Sequence, residues 1–426
     1  MRASSAYSLF DTESVWAILM RIAPPVMLAQ LIQAMYNIVD SYFVGQFSSD
    51  GLTALSIVYP VQLIVTAIAV GTGVGVNTLM SRYDGQGNHH LADRTAGTGT
   101  VLALISWLIF AVLSGLLMRP FAAISTESSS VADLAVTYGT IVCVGSPGVF
   151  LESTWSKVHQ ARGNMRLPML AQIAGAAANI VLDPLFIFAL NMGVRGAALA
   201  TIISQCLSCV WVLRFLTGPK TMLRLKKENI RIAPALVLPC VALGSATFIM
   251  QASESVISMC FNSSLLKYGG DIAVGAMTIL SSVMQFAMLP LQGIGQGAQP
   301  IISYNYGARN TERVRRTFWL LLRVSLCYSV LLWAIIQLFP GVFARMFTPK
   351  AELIDFTVTA LRIYCGALFL FGIQIACQMA FVSIGAAGCS IIVAVLRKFV
   401  LLLPLIYLLP RLLANQTMAV YTAEPV

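Results

Sequence analysis

The sequence has very little charge for its 426 residues. Asp, Glu, Lys and Arg together make up 10% of it, whereas they supply about a quarter of an ordinary soluble domain. A soluble surface needs many more charged side chains than that. The apolar set AVILMFWYC accounts for 58% of the residues, and the mean hydropathy is +0.81. The composition excludes a soluble protein and predicts an all-α polytopic membrane protein embedded in a lipid bilayer.

Histidine and paired cysteine motifs are also scarce. There are three histidines, and the nine cysteines all fall in apolar stretches, where packing explains them. Cys206 and Cys209 match a CxxC spacing, but no second pair accompanies them, so neither a disulfide framework nor a metal site is predicted. A nucleophile–base pair and a soluble catalytic domain are missing as well. We therefore predict no cofactor and no enzyme; an intramembrane enzyme that uses buried carboxylates is the alternative.

Long apolar runs are what the sequence does contain. A crossing takes about 20 apolar residues, and eleven stretches meet that requirement. The predicted spans are 15–41, 52–80, 97–118, 131–156, 168–190, 196–217, 233–262, 272–302, 317–339, 353–381 and 390–410. The first run is too long for a signal peptide and lacks a small-residue cleavage site after it, so we expect it to stay in the mature protein.

Lys and Arg are distributed unevenly over the connections between these spans. Seventeen of them lie in 81–96, 157–167, 214–232, 309–316 and 382–398, and six lie in the connections on the opposite side. Positive residues accumulate on the cytoplasmic side of a membrane. We therefore predict a cytoplasmic N-terminus, and we interpret the net charge of +10 as a signal of topology, with no nucleic acid as partner.

The two halves of the chain share a pattern of glycines and other residues. A shift of 220 residues lays Gly73, Gly75 and Gly87 on Gly293, Gly295 and Gly307. A shift of 222 lays Cys143 on Cys365 and Gly163 on Gly385. These matches indicate a duplication, with parallel repeats related by an axis along the membrane normal, as in many transporters.

The duplication divides the chain into two pseudo-symmetric helical bundles. We predict a six-helix bundle over 1–217, a basic cytoplasmic linker over 218–232, and a second bundle of five, nominally six, helices over 233–426. The start of the sixth span, 196–201, falls on 418–423, just before the sequence stops. A chain that lacks its twelfth helix is therefore expected, and an inactive remnant is one alternative.

Five polar residues fall at one depth in the first bundle. Asp183 lies about 22 Å along the fifth span, one turn above Asn179 and just before Pro184. The others at a similar depth are Tyr36, Asp40 and Thr201. Intramembrane carboxylates are costly and usually functional, and this oxygen-rich set suits Na⁺ or a proton. The alternative is that Asp40 caps its helix and Asp183 makes a local hydrogen bond.

Other charges inside the spans are fewer and weaker as candidates. Glu254 offers a carboxylate for a cation or a cationic substrate in the second bundle, unless it is simply hydrogen-bonded inside it. Glu152 is explained by a helix-end ion pair with Lys157 or Arg162. Arg323 and Arg362 are interpreted as basic side chains that extend to the interface or pair between helices.

Several segments carry a recognisable pattern. They are Met35–Gln46, Gln160–Pro168, Asn179–Phe188 and Gly196–Thr201. These segments resemble the multidrug and toxic compound extrusion (MATE) family, and the resemblance covers nearly the whole chain. It implies two six-helix bundles around a central cleft, in a monomer of a bacterial or archaeal plasma membrane. The implied activity is export of organic, often cationic compounds in exchange for H⁺ or Na⁺.

The resemblance also assigns roles to single residues. It places the coupling cation at the residues matching Tyr36, Asp40, Asn179, Asp183 and Thr201. Gln33 matches a position facing the drug cleft, and Pro25 one where the first helix bends. Binding at Asp40 and Asp183 is then expected to reorganise the first helix around Pro25 while the bundles rock between two states.

The sequence departs from the family in the tenth helix. Members that hold Na⁺ in the second bundle carry an Asp there, whereas this chain has Phe371-Gly-Ile-Gln374. The resemblance therefore favours the first bundle for the ion. A lipid-linked oligosaccharide flippase of the same superfamily is the alternative function, but such flippases have a strongly cationic cleft, and the intramembrane charges counted here are mainly acidic.

Overall fold

The computed structural model of the chain describes residues 9–218, 225 and 227–426. In these residues the chain forms helices joined by short connections, and no strand occurs among them. The predicted linker 218–232 lies partly outside them, since 219–224 and 226 are not described.

The first half consists of helices separated by polar caps. They are α1 (Leu9–Thr12), α2 (Val15–Phe47), α3 (Ser49–Gly85), α4 (His89–Ser125), α5 (Ser129–Val144), α6 (Pro147–Ala161), α7 (Arg166–Pro184) and α8 (Val194–Thr217). A short π-helix, Leu185–Ala189, follows α7. The side chains of Ser14, Ser48 and Asn88 accept backbone N–H bonds at the starts of α2, α3 and α4. Such caps satisfy donors that the first helical turn leaves free, so polar residues between apolar runs set the boundaries.

The second half repeats this plan. Its helices are α9 (Pro234–Gly307), α10 (Thr311–Leu338), α11 (Pro340–Phe347), α12 (Ala351–Tyr364), α13 (Phe371–Ser383), α14 (Ala387–Val395), α15 (Leu403–Leu412) and α16 (Gln416–Thr422). A π-helix, Leu396–Leu402, joins α14 to α15. The 74 residues of α9 would extend about 110 Å as one helix, and Gly270 interrupts them with a φ of 65°. Helix α9 is therefore two spans.

The number of spans agrees with the number predicted from the sequence. Eight helical segments of the described chain are long and apolar enough to cross a membrane, and two bent pairs add one span each. The pairs are α5 with α6, bent by 43°, and α12 with α13, bent by 45°. Counting α9 twice gives eleven spans, which confirms the prediction of an all-α polytopic membrane protein.

The duplication is visible in matching hydrogen bonds, and these correct its register. Ser81 donates to the Ala161 carbonyl at 3.2 Å, and Ser303 donates to the Ser383 carbonyl at 2.8 Å. Both pairs are related by a shift of 222 residues. The shift of 220 over the glycines was wrong, because a Gly-x-Gly-x-Gly motif matches itself again after two residues.

The bent pairs repeat in the same way. The Trp107 indole donates to the Val144 carbonyl at 3.0 Å, beside the break between α5 and α6. In the second half, the Trp333 indole donates to the Gly366 carbonyl at 2.8 Å, beside the break between α12 and α13. A break in a helix frees carbonyl groups that lipid cannot satisfy. The same side-chain type therefore stabilises the bend in both halves.

The two halves pack closely at the end that carries the basic connections. A β-carbon on Gly71 would lie 2.7 Å from the Gly244 carbonyl oxygen, and one on Gly244 would lie 2.9 Å from the Gly71 oxygen. The Gln299 side chain crosses the same interface and donates to Thr78 at 2.8 Å. Small residues let helices approach in a membrane, so these glycines determine how tightly the halves close here.

A side chain at this contact is expected to hold the halves apart. Gly71→Leu should disfavour the closed arrangement by about 1–3 kcal/mol, the usual cost of overpacking. Distances between spin labels placed on the connections at this end should become longer and broader. Gly115→Leu is the control, because a β-carbon there meets nothing within 4 Å. Unchanged distances in Gly71→Leu would show that the glycine contact does not control closure.

Candidate functional site

The structure brings the five residues predicted for the cation site into one cluster. Asp40 on α2 and Asp183 at the end of α7 are close enough for their carboxyl groups to interact. Tyr36 on α2 adjoins both carboxylates and Thr201 on α8. Asn179 donates to Oδ1 of Asp183 at 3.2 Å. Residues far apart in the sequence therefore form one polar site inside the first bundle.

This cluster contains several buried oxygen atoms that have no hydrogen-bond partner. Asp40, Asn179, Asp183 and Thr201 are all buried. Each of them has one side-chain oxygen that is buried and without a hydrogen-bond partner: Oδ1 of Asp40, Oδ1 of Asn179, Oδ2 of Asp183 and Oγ1 of Thr201. Unsatisfied buried polar atoms are rare and need an explanation. A proton or a small cation with oxygen ligands would supply the missing partner.

Two buried carboxylates beside each other also need compensation for their charge. Like charges at close range disfavour each other, and burial disfavours both. The pair of Asp40 and Asp183 is therefore suited to hold either a shared proton or a monovalent cation. Hard cations such as Na⁺ favour carboxylate, amide and hydroxyl oxygens of this kind.

The backbone widens next to Asp183. Pro184 ends α7, and the π-helix Leu185–Ala189 starts at the following residue. Within this wider turn the Leu190 N–H donates to the Leu185 carbonyl at 2.9 Å. Proline removes a backbone donor, and single π-turns occur often at functional sites. The irregular turn fixes the end of α7, from which Asp183 projects into the cluster.

Two further members of the cluster were missed in the sequence. The Tyr138 side chain on α5 is fully buried beside Asp40, and Gln62 on α3 donates to its hydroxyl at 3.3 Å. A tyrosine in an apolar helix looks like an ordinary core residue. Only its position beside Asp40 in the fold assigns it to the site.

The remaining residues predicted on α2 lie outside the cluster. Helix α2 runs without a break from Val15 to Phe47, through Pro24 and Pro25. Gln33 is exposed on the same helix. The bend at Pro25 and the substrate contact of Gln33 stay predictions.

A second group of charges lies inside the second bundle. Lys398 in the π-helix Leu396–Leu402 pairs with Glu254 on α9 and also donates to the Met250 carbonyl at 3.0 Å. The neighbouring Arg397 pairs with Glu424 at 2.7 Å. Each carboxylate of this group is thus bound to a cationic side chain.

This group corrects the sequence analysis, which counted Arg397 and Lys398 among the charges of a cytoplasmic connection. The structure places both inside the span Ala387–Leu412, about 15 Å from its start. Without Arg397 and Lys398, the excess of Lys and Arg still lies in the connections predicted to be cytoplasmic. The prediction that the intramembrane charges are mainly acidic was wrong. Arg397 and Lys398 have apolar residues on both sides in the sequence, and both lie within the span.

Glu152 differs from its prediction too. It accepts a hydrogen bond from Ser156 at 2.7 Å, while Lys157 donates to Gln296 of the second half at 2.9 Å. Arg162 pairs with Asp84 at 3.0 Å. The predicted helix-end ion pair was therefore wrong, since residues five apart do not share a helix face as those three or four apart do.

Comparison with known proteins identifies the family. The MatE family model matches residues 25–185 and, a second time, residues 246–408. The chain belongs to the MATE family. Two matches in one chain agree with the duplication, and the family consists of transporters, which confirms that the protein is not an enzyme.

Curated MATE relatives match most of the chain at low identity. The multidrug export protein MepA of Staphylococcus haemolyticus is 23% identical over 365 residues, covering 85% of this chain and 80% of MepA. A protein of Shewanella oneidensis named FAD transporter is 23% identical over 394 residues, covering 91% of this chain and 86% of that protein. The two names differ in the compounds they give, so family membership does not settle the substrate.

Solved structures share the fold. A MATE crystal structure in complex with MaL6 superposes with a TM-score of 0.93 at 22% identity, covering 99% of this chain and 94% of the other. A transporter from Pyrococcus furiosus, described as having a binding pocket of reversed polarity, gives a TM-score of 0.91 at 22% identity, covering 98% and 93%. These similarities confirm the predicted pair of pseudo-symmetric helical bundles.

Proposed function

We propose that this MATE protein exports organic, often cationic compounds in exchange for H⁺ or Na⁺ by alternating access. The observation that carries the proposal is the cluster around Asp40 and Asp183, with one unpartnered buried oxygen on each of four side chains. A transporter coupled to an ion needs a site whose stability changes when the ion leaves. Two adjacent buried carboxylates provide such a change, because their repulsion appears when the ion is lost.

The ion is assigned to the first bundle because the second offers no comparable site. There, Glu254 is bound by Lys398 and Glu424 by Arg397. A guanidinium or ammonium group already neutralises each carboxylate, and it would repel an incoming Na⁺. Helix α13, the second part of the tenth span, contains no acid, and the ring of its Phe371 lies 4.6 Å from the Arg397 guanidinium carbon. Among the residues that the structure describes, neither Asp40 nor Asp183 forms an ion pair.

The packing of the halves supports an outward-open state. The contacts of Gly71 with Gly244 and of Gln299 with Thr78 close the end with the basic connections. With the N-terminus in the cytoplasm of a bacterial or archaeal cell, as the basic residues favour, that closed end faces inward. A compound in the cleft then has access to the outside, and binding of the ion to the cluster from the outside releases the compound and starts the return to the inward-open state.

The substrate wall of the second bundle is proposed to include Glu254. Its side chain is 67% exposed, whereas that of Lys398 is 6% exposed. A cationic compound is therefore able to reach the carboxylate and compete with the ammonium group. Gln33 on α2 is proposed for the facing wall. We expect the transporter to act as a monomer, since each chain contains both bundles.

A second candidate is export of an organic anion. The half-buried Arg397 and the buried Lys398 favour it, and one relative is named FAD transporter. A lipid-linked oligosaccharide flippase is less well supported, because Glu424 and Glu254 neutralise both cations. Competition separates the candidates: an organic cation should slow export of the transported compound, and an organic anion should leave it unchanged if the first proposal holds.

The test of the proposed function is flux in proteoliposomes. Release of a fluorescent organic cation should be measured under an H⁺ gradient and, separately, under a Na⁺ gradient. One of the two gradients should accelerate release well above that of protein-free vesicles, and the effective gradient identifies the ion. Release at the protein-free rate under both gradients would refute the proposal of a coupled exporter.

A further inference from the structure

A groove lies between the starts of α2 and α10, and none of its lining residues belongs to either charge cluster described above. Its volume is about 490 Å³. The groove is lined by Trp16, Arg313, Arg315, Arg316, Trp319 and Arg323, among others. Four arginines and two tryptophans in one groove are a distinctive combination, and the proposed transport mechanism uses none of them.

The groove has the composition of a membrane interface. Trp16 is 52% exposed and Trp319 is 46% exposed. Tryptophan is enriched where the hydrocarbon meets the headgroups. On α10, Arg316, Trp319 and Arg323 recur after three and seven residues, so they share one face of the helix. This face presents guanidinium groups and an indole ring together on the outer surface.

The positive charge in the groove is poorly compensated by the protein. One acidic residue, Glu312, lines the groove. Arg313 donates to the Glu13 carbonyl at 2.6 Å, but its Nε is buried without a partner. Among the residues that the structure describes, Arg315, Arg316 and Arg323 form no ion pair.

Arg323 makes this lack of compensation costly. It lies twelve residues after the start of α10, or about 18 Å along the helix, within a span of mean hydropathy 2.0. An arginine in that position is unfavourable unless it reaches the interface or meets an anion. Basic side chains in spans extend toward the nearer interface. When the Arg323 side chain extends toward the start of α10 in this way, its guanidinium group comes to the level of Arg316.

We propose that this groove binds the headgroup of an anionic phospholipid, with the phosphate held between Arg316 and Arg323. Guanidinium groups bind phosphate oxygens through paired N–H donors. The indole rings of Trp16 and Trp319 and the side chain of Leu320 cover the glycerol region and the first part of an acyl chain. A soluble anion would leave this apolar lining without a partner, which favours a lipid.

The test uses vesicles of phosphatidylcholine that contain either brominated phosphatidylglycerol or brominated phosphatidylcholine. Bromine quenches nearby tryptophans, and Trp319→Phe identifies the part of the signal that comes from the groove. We expect phosphatidylglycerol to quench that part preferentially. Arg316→Gln and Arg323→Gln should each lower the preference by about fivefold, the usual effect of one basic residue beside an anionic surface.

Arg345→Gln is the matched control. Arg345 is exposed in α11, beyond the opposite end of α10, and its removal lowers the net charge by the same amount. The preference should survive in this variant. Equal quenching by both lipids in the unaltered protein, or an equal loss in Arg345→Gln, would overturn the proposal. Complete displacement by inorganic phosphate would overturn it in favour of a soluble anion.

Discussion

Asp183→Asn is expected to abolish gradient-driven efflux while leaving the protein folded. Asparagine has nearly the same shape, so its Oδ1 can accept the same hydrogen bond from Asn179. The negative charge that holds the ion is lost, however. Interactions with a charged group contribute about 1.5–3 kcal/mol, so ion binding should weaken by roughly ten- to a hundredfold. Proteoliposome flux measures the loss, and thermal unfolding checks the fold.

Asp133→Asn is the control for that variant. Asp133 lies on α5, the helix that also carries Tyr138, but its side chain is exposed. Its efflux should equal that of the unaltered protein. Asp40→Asn should behave like Asp183→Asn, because the two carboxyl groups act as a pair. Normal gradient-driven efflux by either cluster variant would contradict the assignment of the ion to this site.

In the second bundle, Glu254→Gln is expected to destabilise the protein far more than Lys398→Met. The Lys398 side chain is 6% exposed and that of Glu254 is 67% exposed. Removing Glu254 leaves a buried ammonium group without its anion, which costs about 3–5 kcal/mol. Removing Lys398 leaves an exposed carboxylate, so that loss should be about 1 kcal/mol. Thermal unfolding in nanodiscs measures both.

The double variant isolates the pair. Glu254→Gln combined with Lys398→Met removes both charges, and it should recover most of the stability lost in Glu254→Gln. Lys350→Met is the matched control, because Lys350 is exposed, and its unfolding temperature should be unchanged. Equal destabilisation by the two single variants would show that the buried Lys398 ammonium group does not need Glu254 for its stability.

Much of the fold could be predicted because hydropathy determines which segments cross a membrane. Eleven apolar runs gave eleven spans, and the repeat gave two bundles. The register of the repeat over the glycines was predicted wrongly. Alternating glycines match at two shifts, and the hydrogen bonds of Ser81 and Ser303 select 222 over 220.

The candidate site was predictable where polar residues stood alone in apolar helices. Asp40 and Asp183 were conspicuous for that reason. Tyr138 was not, since tyrosine is common in helix cores. The cations Arg397 and Lys398 were misplaced because the sequence analysis assigned this charged pair to a connection, although the apolar residues on both sides of it form one span, Ala387–Leu412. Their pairing with Glu424 and Glu254 depends on contacts between distant helices, which one sequence does not show.

Equilibrium ion binding to the purified protein tests the central claim most directly. Uptake of ²²Na⁺, and in parallel the protons released or bound on a pH step, should be measured for the unaltered protein, Asp183→Asn and Asp133→Asn. We predict binding of one of the two ions by the unaltered protein and by Asp133→Asn, and loss of that binding in Asp183→Asn. Equal ion binding by all three proteins would contradict the account.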